Sequence, residues 1–155
     1  MRFFRRLSCR TWVLFCVLGL LLVVRLGYTQ QPDPYHPPRL DVPFVTTPES
    51  SVDRMLELAQ VSPDDTVLDL GSGDGRIAIA AVRDWDAQRA VGVEIDPLLI
   101  RTARTQAQIE SVADRVTFIQ GDLFEQDLSE ASVLTLFLLQ SINNRLRPVI
   151  LDTMA

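Results

Sequence analysis

Four short apolar segments alternate with helical stretches along the chain after residue 43. The predicted strands are Val67–Leu70, Ala90–Ile95, Val116–Ile119 and Val133–Leu139. Apolar strands that alternate with helices form a parallel sheet that is covered on both faces. Because crossover connections are right-handed, the chain is expected to fold as an α/β domain with a doubly wound, Rossmann-like parallel sheet.

Helices are predicted on either side of these strands. The first begins at Thr47-Pro48-Glu49, with Thr47 as its cap and Pro48 at its first helical position. Asp96 is predicted to cap a later helix, and Asp74 to be a solvated loop carboxylate. The remaining predicted helices are Arg76–Arg83, Asp96 to about Val112, and about Asn143 to the last residue.

Residues 1–28 are predicted to anchor the chain in a membrane. Four Arg residues precede an unbroken run of 13 apolar or Gly residues from Trp12 to Val24, which is the layout of a secretory signal. As a helix this run is roughly 20 Å long, shorter than a bilayer core of ~30 Å. Counting on to Tyr28, with Arg25 at the interface, extends it to 17 residues. An uncleaved anchor through residues 12–28 is favoured over an exported, cleaved chain, and an Arg-rich leader also resembles a mitochondrial transit segment.

Residues 29–43 are predicted to be a linker, because five Pro residues fall between positions 32 and 43. Such a stretch is extended and semi-rigid. A chain of 155 residues has room for one domain, and residues 44–155 are assigned to it.

Charge and composition exclude several functions. Residues 31–155 hold 20 acidic residues against ten Arg, a balance that repels phosphate backbones, so no nucleic acid partner is expected. Both Cys residues lie in the N-terminal segment, and the single His, His36, lies in the linker. The domain therefore offers neither a His/Cys metal site nor a Cys–His or Ser–His nucleophile pair, and no metal is expected.

Glycines and carboxylates follow the first three predicted strands. The first strand leads into the loop Asp69-Leu70-Gly71-Ser72-Gly73-Asp74-Gly75, the second ends at Glu94, and Asp122 follows the third. The carboxyl ends of parallel strands are where such sheets bind ligands. Glu94 lies 19 residues after Gly75, the reach of an acid that binds ribose hydroxyls.

The charge of these strand ends distinguishes between nucleotide-like ligands. The loop has the spacing G-x-G-x-G rather than the G-x-G-x-x-G of dinucleotide sites. Five carboxylates gather there with a single nearby Arg, and they would repel a pyrophosphate. They suit S-adenosylmethionine, which carries an ammonium and a sulfonium and no phosphate. A nicotinamide-dependent oxidoreductase is therefore disfavoured.

These motifs resemble those of the class I S-adenosylmethionine-dependent methyltransferases. More narrowly, Pro43 to Pro48, the Asp69–Arg76 loop and Leu138-Leu139-Gln140-Ser141 resemble a small group of membrane-anchored lysine methyltransferases. That group includes the mitochondrial enzymes acting on an ATP synthase membrane subunit and on the adenine nucleotide carrier, with bacterial relatives. The resemblance implies a protein substrate, in that group a membrane protein.

The resemblance also implies roles for the loop after the first strand. Gly71, Ser72, Gly73 and Gly75 would bind the cofactor, with Gly71 and Gly73 close to its methionyl part. Asp69 would orient its amino group.

The other two strand ends would bind the nucleoside half. Glu94 would hold the two ribose hydroxyls and Ile95 would pack on the adenine. Asp122 would accept from the adenine amino group, with Leu123 beside it.

The methyl acceptor would lie against the segment before the first helix and the one after the fourth strand. The candidates on this substrate side are Phe44, Thr46, Gln140, Ser141 and Asn143. No residue is identified as a catalytic base.

The chain departs from the family in length. The usual domain has seven strands and four are predicted here, so a C-terminally truncated chain is expected. The alternative function is a non-catalytic cofactor-binding or scaffold fragment of such an enzyme.

Overall fold

The computed structural model describes residues 44–154. The predicted anchor at 1–28 and the linker at 29–43 lie outside these residues. No helix between Phe44 and Met154 is long and apolar enough to cross a membrane. The elements are α1 (Glu49–Leu58), β1 (Thr66–Leu70), α2 (Arg76–Arg83), β2 (Arg89–Glu94), α3 (Pro97–Ile109), β3 (Val116–Gln120), a 3₁₀ turn (Leu123–Glu125), β4 (Val133–Leu136) and α4 (Gln140–Thr153).

The four strands form one sheet in the order β3-β2-β1-β4, and every pair of neighbours is parallel. This confirms the predicted doubly wound sheet. The order reverses between β1 and β4, which is where ligands bind in such folds. In the register, Asp69 of β1 lies between Gly92 of β2 and Thr135 of β4.

Two apolar clusters cover the two faces of the sheet. The first contains Val67 together with buried residues of α1, α2 and α3. The second contains Leu68 and Leu70 together with Ile142 and Leu146 of α4. Because successive strand residues point to opposite faces, β1 contributes to both clusters and is buried from both sides.

The starts of two helices test the predicted caps. Asp96 caps α3 as predicted, because its side chain accepts from the backbone N–H of Leu98 at 2.7 Å. The predicted Thr47 cap of α1 is wrong: Pro48 holds the cap position and no side chain bonds there. Thr47 is instead buried.

Three predicted boundaries move by about three residues each. The fourth strand ends at Leu136 rather than Leu139, and α4 begins at Gln140 rather than near Asn143. An apolar run does not distinguish a strand from a segment that lines a cavity, and residues 136–139 line one. The α3 helix ends at Ile109, before the left-handed φ of 59° at Ser111.

Candidate functional site

A cavity of about 430 Å³ lies at the carboxyl ends of the strands. Its size is typical of sites for small organic ligands. Residues from every strand end contribute to its wall, together with the segment that precedes α1. The lining residues are Phe44, Val45 and Thr47, the loop residues Gly71–Asp74 and Arg76, residues 93–95, residues 121–124 and residues 136–139, together with Ile77, Leu99 and Ile142.

The loop after β1 has a backbone that favours glycine at three positions. Gly71, Gly73 and Gly75 have φ values of 76°, 55° and 83°, in the region where a Cβ is disfavoured. The N–H groups of Gly71 and Ser72 both donate to the carbonyl of Val93 at 2.9 Å. These two hydrogen bonds tie the loop to the end of β2.

The glycines also leave space that neighbouring side chains fill. A Cβ on Gly71 would lie 2.7 Å from Cδ2 of Leu138, and one on Gly73 would overlap the ring of Phe44. The loop is therefore packed between the segment before α1 and the segment after β4. These are the two segments predicted to form the substrate side.

Glu94 joins this loop to the segment that connects β2 with α3. Its Oε2 accepts from the N–H of Gly73 at 3.0 Å, and its Oε1 accepts from the N–H groups of Ile95 and Asp96 at 2.8 and 3.0 Å. A carboxylate has about four acceptor positions, so these three donors leave about one open, on Oε2. Glu94 lines the cavity, and that position suits one ribose hydroxyl.

Asp69 is the most deeply buried carboxylate of the site, with 1% of its surface exposed. Its Oδ1 accepts from the hydroxyl of Thr135 at 2.8 Å, whereas Oδ2 has no hydrogen-bond partner among the described residues. Burial raises the pKa of Asp69 to about 7, and the hydrogen bond from Thr135 opposes that shift. Asp69 lies beneath the loop and is not itself part of the cavity wall.

Ser72 has the second unpartnered atom near the loop. Its side chain is buried, and its Oγ has no hydrogen-bond partner among residues 44–154. A Cβ on Gly92 would lie 2.7 Å from this Oγ. Gly92 thus leaves the space that the Ser72 hydroxyl occupies.

The nucleoside-side candidates also line the cavity. Ile95 and Asp122 are exposed on its wall, and Leu123 lies next to Asp122. Oδ1 of Asp122 accepts from the N–H of Phe124 at 2.9 Å, so Asp122 caps the 3₁₀ turn while its other oxygen remains available.

The substrate-side candidates divide into two groups. Phe44 lines the cavity, whereas Thr46, Gln140, Ser141 and Asn143 do not. Gln140 donates to Asn144 at 2.9 Å. Asn143 is partly buried, and its Oδ1 has no partner within the described part of the chain.

Sequence reasoning missed three residues of the site. Thr135 lies in an apolar strand, where nothing marks it as the partner of Asp69. Thr47, the predicted helix cap, lines the cavity instead. The sequence predicts Arg76 only as a nearby cation, although its fork of donors beside Asp74 is the signal that could identify it.

Asp74 is paired, which corrects its prediction as a solvated carboxylate. The guanidinium of Arg76 donates from Nε to Asp74 Oδ1 at 2.9 Å and from Nη2 to Oδ2. Its Nη1 donates to the carbonyl oxygen of Thr47 at 2.9 Å. One side chain thus joins the loop to the segment before α1.

The described part of the chain, residues 44–154, has no cluster of metal ligands. No group of three or more His, Cys, Asp or Glu residues there has the arrangement to hold a metal ion.

Known proteins resemble this chain in sequence and in fold. A crystal structure of an RNA methyltransferase from Salinibacter ruber in complex with S-adenosyl-L-homocysteine is 56% identical, with a TM-score of 0.69 over 72% of each chain. A protein-lysine N-methyltransferase of Saccharolobus islandicus is 50% identical over 107 residues, which cover 69% of this chain and 66% of that protein. The mouse adenine nucleotide translocase lysine N-methyltransferase is 35% identical over 68% of this chain and 45% of its own length.

The parallel sheet and the glycine loop define a Rossmann-like S-adenosylmethionine-dependent methyltransferase domain. More narrowly, the family model described as the ANTKMT methyltransferase domain matches residues 69–155. The chain belongs to that family. It spans 66% and 45% of the lengths of the S. islandicus and mouse relatives.

Proposed function

We propose that this chain binds S-adenosylmethionine in the cavity and transfers its methyl group to the side-chain amino group of a protein lysine. The observation that carries the proposal is the pairing of Glu94 with the glycine loop at the wall of a cavity of about 430 Å³. The lysine methyltransferase relatives support the choice of acceptor.

The residues of the cavity fit this cofactor. Glu94 has one open acceptor position for a ribose hydroxyl, and Ile95 offers an exposed apolar surface for the adenine. Among the described residues, Arg76 is the one Arg on the cavity wall. It is bound to Asp74 and to the Thr47 carbonyl, so it is not free to bind a phosphate. The unpartnered oxygens of Asp69 and Ser72 are acceptors for a donor or a water beneath the loop.

Catalysis at such a site consists mostly of positioning. When bound, the cofactor supplies an electrophilic methyl group on its sulfonium. The loop residues and Glu94 hold the ligand in one orientation. The apolar wall formed by Phe44, Val45 and residues 136–139 excludes water from the reacting atoms.

The apolar wall also acts on the acceptor. A lysine amine must be neutral to attack a methyl group, and desolvation lowers the pKa of an ammonium. Leu138 and Leu139 on one side of the cavity and Phe44 on the other provide that environment. This route to a neutral amine requires no dedicated base on the chain.

Two measurements on the full chain test the proposal. Calorimetric titration should show binding of S-adenosylmethionine and S-adenosylhomocysteine but not of NADH. Incubation with labelled cofactor and with soluble and membrane protein fractions should yield methyl-lysine on hydrolysis. Binding without transfer would favour the non-catalytic alternative, and NADH binding in place of the sulfonium compound would contradict the proposal.

Glu94→Gln is the variant that should weaken cofactor binding. It removes the charge that the ribose hydroxyl and three N–H groups use, so affinity for S-adenosylhomocysteine should fall about ten- to a hundredfold. Glu57→Gln, on an exposed carboxylate that pairs with Arg54, is the control and should bind as the native chain does. Equal affinities for the two variants would argue against Glu94 as a ligand.

RNA is the second acceptor to test, because the S. ruber relative is described as an RNA methyltransferase. The acidic balance of residues 31–155, 20 acids against ten Arg, disfavours binding to a phosphate backbone. Total RNA therefore belongs in the labelling assay as a separate arm. Label in RNA and none in protein would show that RNA, and not a protein lysine, is the methyl acceptor.

We also propose that residues 12–28 attach the chain to a membrane, with a membrane protein as substrate. The run of 13 apolar or Gly residues after four Arg supports this. Flotation of the full chain with lipid vesicles should carry it to the top of a density gradient, and a chain without residues 1–28 should stay at the bottom. Equal flotation of both would contradict the anchor.

A further inference from the structure

One wall of the cavity is a short segment without regular structure. Residues 44–47, which we call the strap, precede α1 and contribute Phe44, Val45 and Thr47 to the cavity lining. Phe44 and Val45 are 45% and 62% exposed, whereas Thr47 is buried. The position of this wall therefore depends on what holds the strap to the rest of the fold.

Hydrogen bonds between the described residues hold the strap at a single point. Among the described residues, the carbonyl of Thr47 is the one strap group that hydrogen-bonds to another segment, and its donor is Arg76 Nη1 at 2.9 Å. The second contact is the ring of Phe44, which lies against Gly73. The hydrogen bond leads to Arg76, the first residue of α2, and the Phe44 contact leads to the glycine loop.

Arg76 is itself held in place by that loop. Its Nε and Nη2 bind both oxygens of Asp74, and its side chain is about one-third exposed, 32%. The planar guanidinium has donors in a fixed fork, so binding Asp74 on one edge aims Nη1 at the strap. Hydrogen bonding to Asp74 also raises the pKa of Arg76, so the group stays a cation.

We infer that Arg76 is a positioning residue for the cofactor cavity: by binding Asp74 and the Thr47 carbonyl together, it holds the strap against the glycine loop. The inference rests on the proposed function for its ligand. Arg76 acts on the ligand through the strap, which carries Phe44 to the cavity wall. A Lys cannot reproduce this arrangement, because it has no second donor edge.

The test compares two substitutions on the same helix in the full chain. Arg76→Lys keeps the charge and loses the fork. Arg83→Lys is the control, because Arg83 binds its neighbour Asp84 at 2.7 Å and Glu110 at 3.2 Å, away from the strap. The two readouts are the Kd for S-adenosylhomocysteine from calorimetry and hydrogen exchange, without ligand, in the peptide that covers residues 44–58. We call the second readout strap exchange, because the N–H groups of Ser51 and Val52 in this peptide donate to the carbonyl of Pro48, the residue that follows the strap.

Arg76→Lys should speed strap exchange, because a released strap no longer fixes the position of Pro48. It should also raise the Kd about tenfold, the factor that corresponds to one hydrogen bond to a charged group. Arg83→Lys should change neither. S-adenosylhomocysteine is the probe because it lacks the sulfonium charge, so a change in local charge affects its binding least. Arg76→Gln should give the same loss of strap protection as Arg76→Lys.

Three outcomes would overturn the inference. Native exchange and native affinity in Arg76→Lys would show that the strap needs no such support. Weaker binding with native strap exchange would make Arg76 a direct ligand. Failure of Arg76→Lys to fold, with Arg83→Lys folded, would assign Arg76 to the stability of the whole domain. Because exchange is measured without ligand, it remains informative if the native chain binds no S-adenosylhomocysteine, which would refute only the proposed function.

Discussion

Asp69 combines full burial with a single hydrogen-bond donor. Its neighbours in the sheet are Gly92 and Thr135, and only Thr135 supplies a side-chain donor, at 2.8 Å. Burial raises its pKa, and the negative charges of Glu94 and Asp74 add to the shift. A carboxyl group that titrates near pH 7 makes the domain sensitive to pH in the physiological range.

The first prediction concerns the stability of the ligand-free chain. The pKa of Asp69 is raised from 3.8 to about 7, so between these values the folded chain binds a proton that the unfolded chain releases. The contribution of Asp69 to stability is therefore full below about pH 4 and is lost as the pH rises to 7. Urea unfolding across this range should show the decline.

Asp69→Asn should remove that part of the pH dependence. Asp53→Asn, on the exposed face of α1, is the control and should keep it. A native slope in Asp69→Asn would show that Asp69 is ionised in the folded chain throughout the range.

The hydrogen bond from Thr135 limits how far burial raises the pKa of Asp69. Thr135→Val keeps the shape of the side chain but removes the donor that stabilises the carboxylate, so the pKa of Asp69 should rise further. The pH at which stability stops falling should then move upwards, which the same urea series measures. Thr135→Ser retains the hydroxyl and should behave as the native chain. A Val variant with native pH dependence would assign the shift to burial alone.

At the scale of elements, the join between the loop and α2 is closely packed. Gly75 has φ 83°, and a Cβ there would overlap the ring of Phe118 and lie 2.8 Å from Cβ of Ala103. Strand β3 and helix α3 thus both pack against this glycine. The loop conformation and the packing of that face of the sheet therefore depend on the same residue.

Gly75→Ala should destabilise the domain by about 2–4 kcal/mol, from the left-handed backbone and the overpacking together. Gly121→Ala is the matched control, because its Cβ would meet only the flexible end of Gln126, at 3.1 Å. Thermal unfolding measured by circular dichroism compares the two. A small effect at Gly75 would mean that Phe118 has room to move.

The elements show what the sequence can predict. The strand positions and the Asp96 cap follow from local signals, apolar runs and an Asp before Pro. The end of β4 and the strap do not, because residues 137–139 and Phe44 are apolar for a reason that only the cavity reveals. Similarly, the Asp69–Thr135 bond joins residues 66 positions apart, and no local pattern encodes that distance.

At the scale of the whole molecule, the described core and cavity come from one part of the chain. The described core residues lie between Val52 and Met154, and the cavity lining begins at Phe44. Residues 37–155 also form one compact unit. This unit contains the described parts of both the fold and the candidate site.

A chain that begins at Pro37 should therefore fold with one cooperative thermal transition and bind S-adenosylhomocysteine as the full chain does. Circular dichroism and calorimetry measure the two properties. A further deletion to Pro48 removes the strap and should weaken binding while the transition remains. Loss of folding in the chain from Pro37 would show that earlier residues complete the domain.

The three backbone hydrogen bonds of Glu94 bear on any attempt to redesign this domain to bind a phosphorylated nucleotide. The carboxylate that faces the cavity also ties Gly73 to the end of β2. A library that varies only the loop would keep the Glu94 carboxylate, whose charge disfavours a phosphate group. A library that varies only position 94 would remove the acceptor that holds Gly73. A change of ligand would therefore require simultaneous substitutions in the loop and at position 94, which a library of single substitutions does not contain.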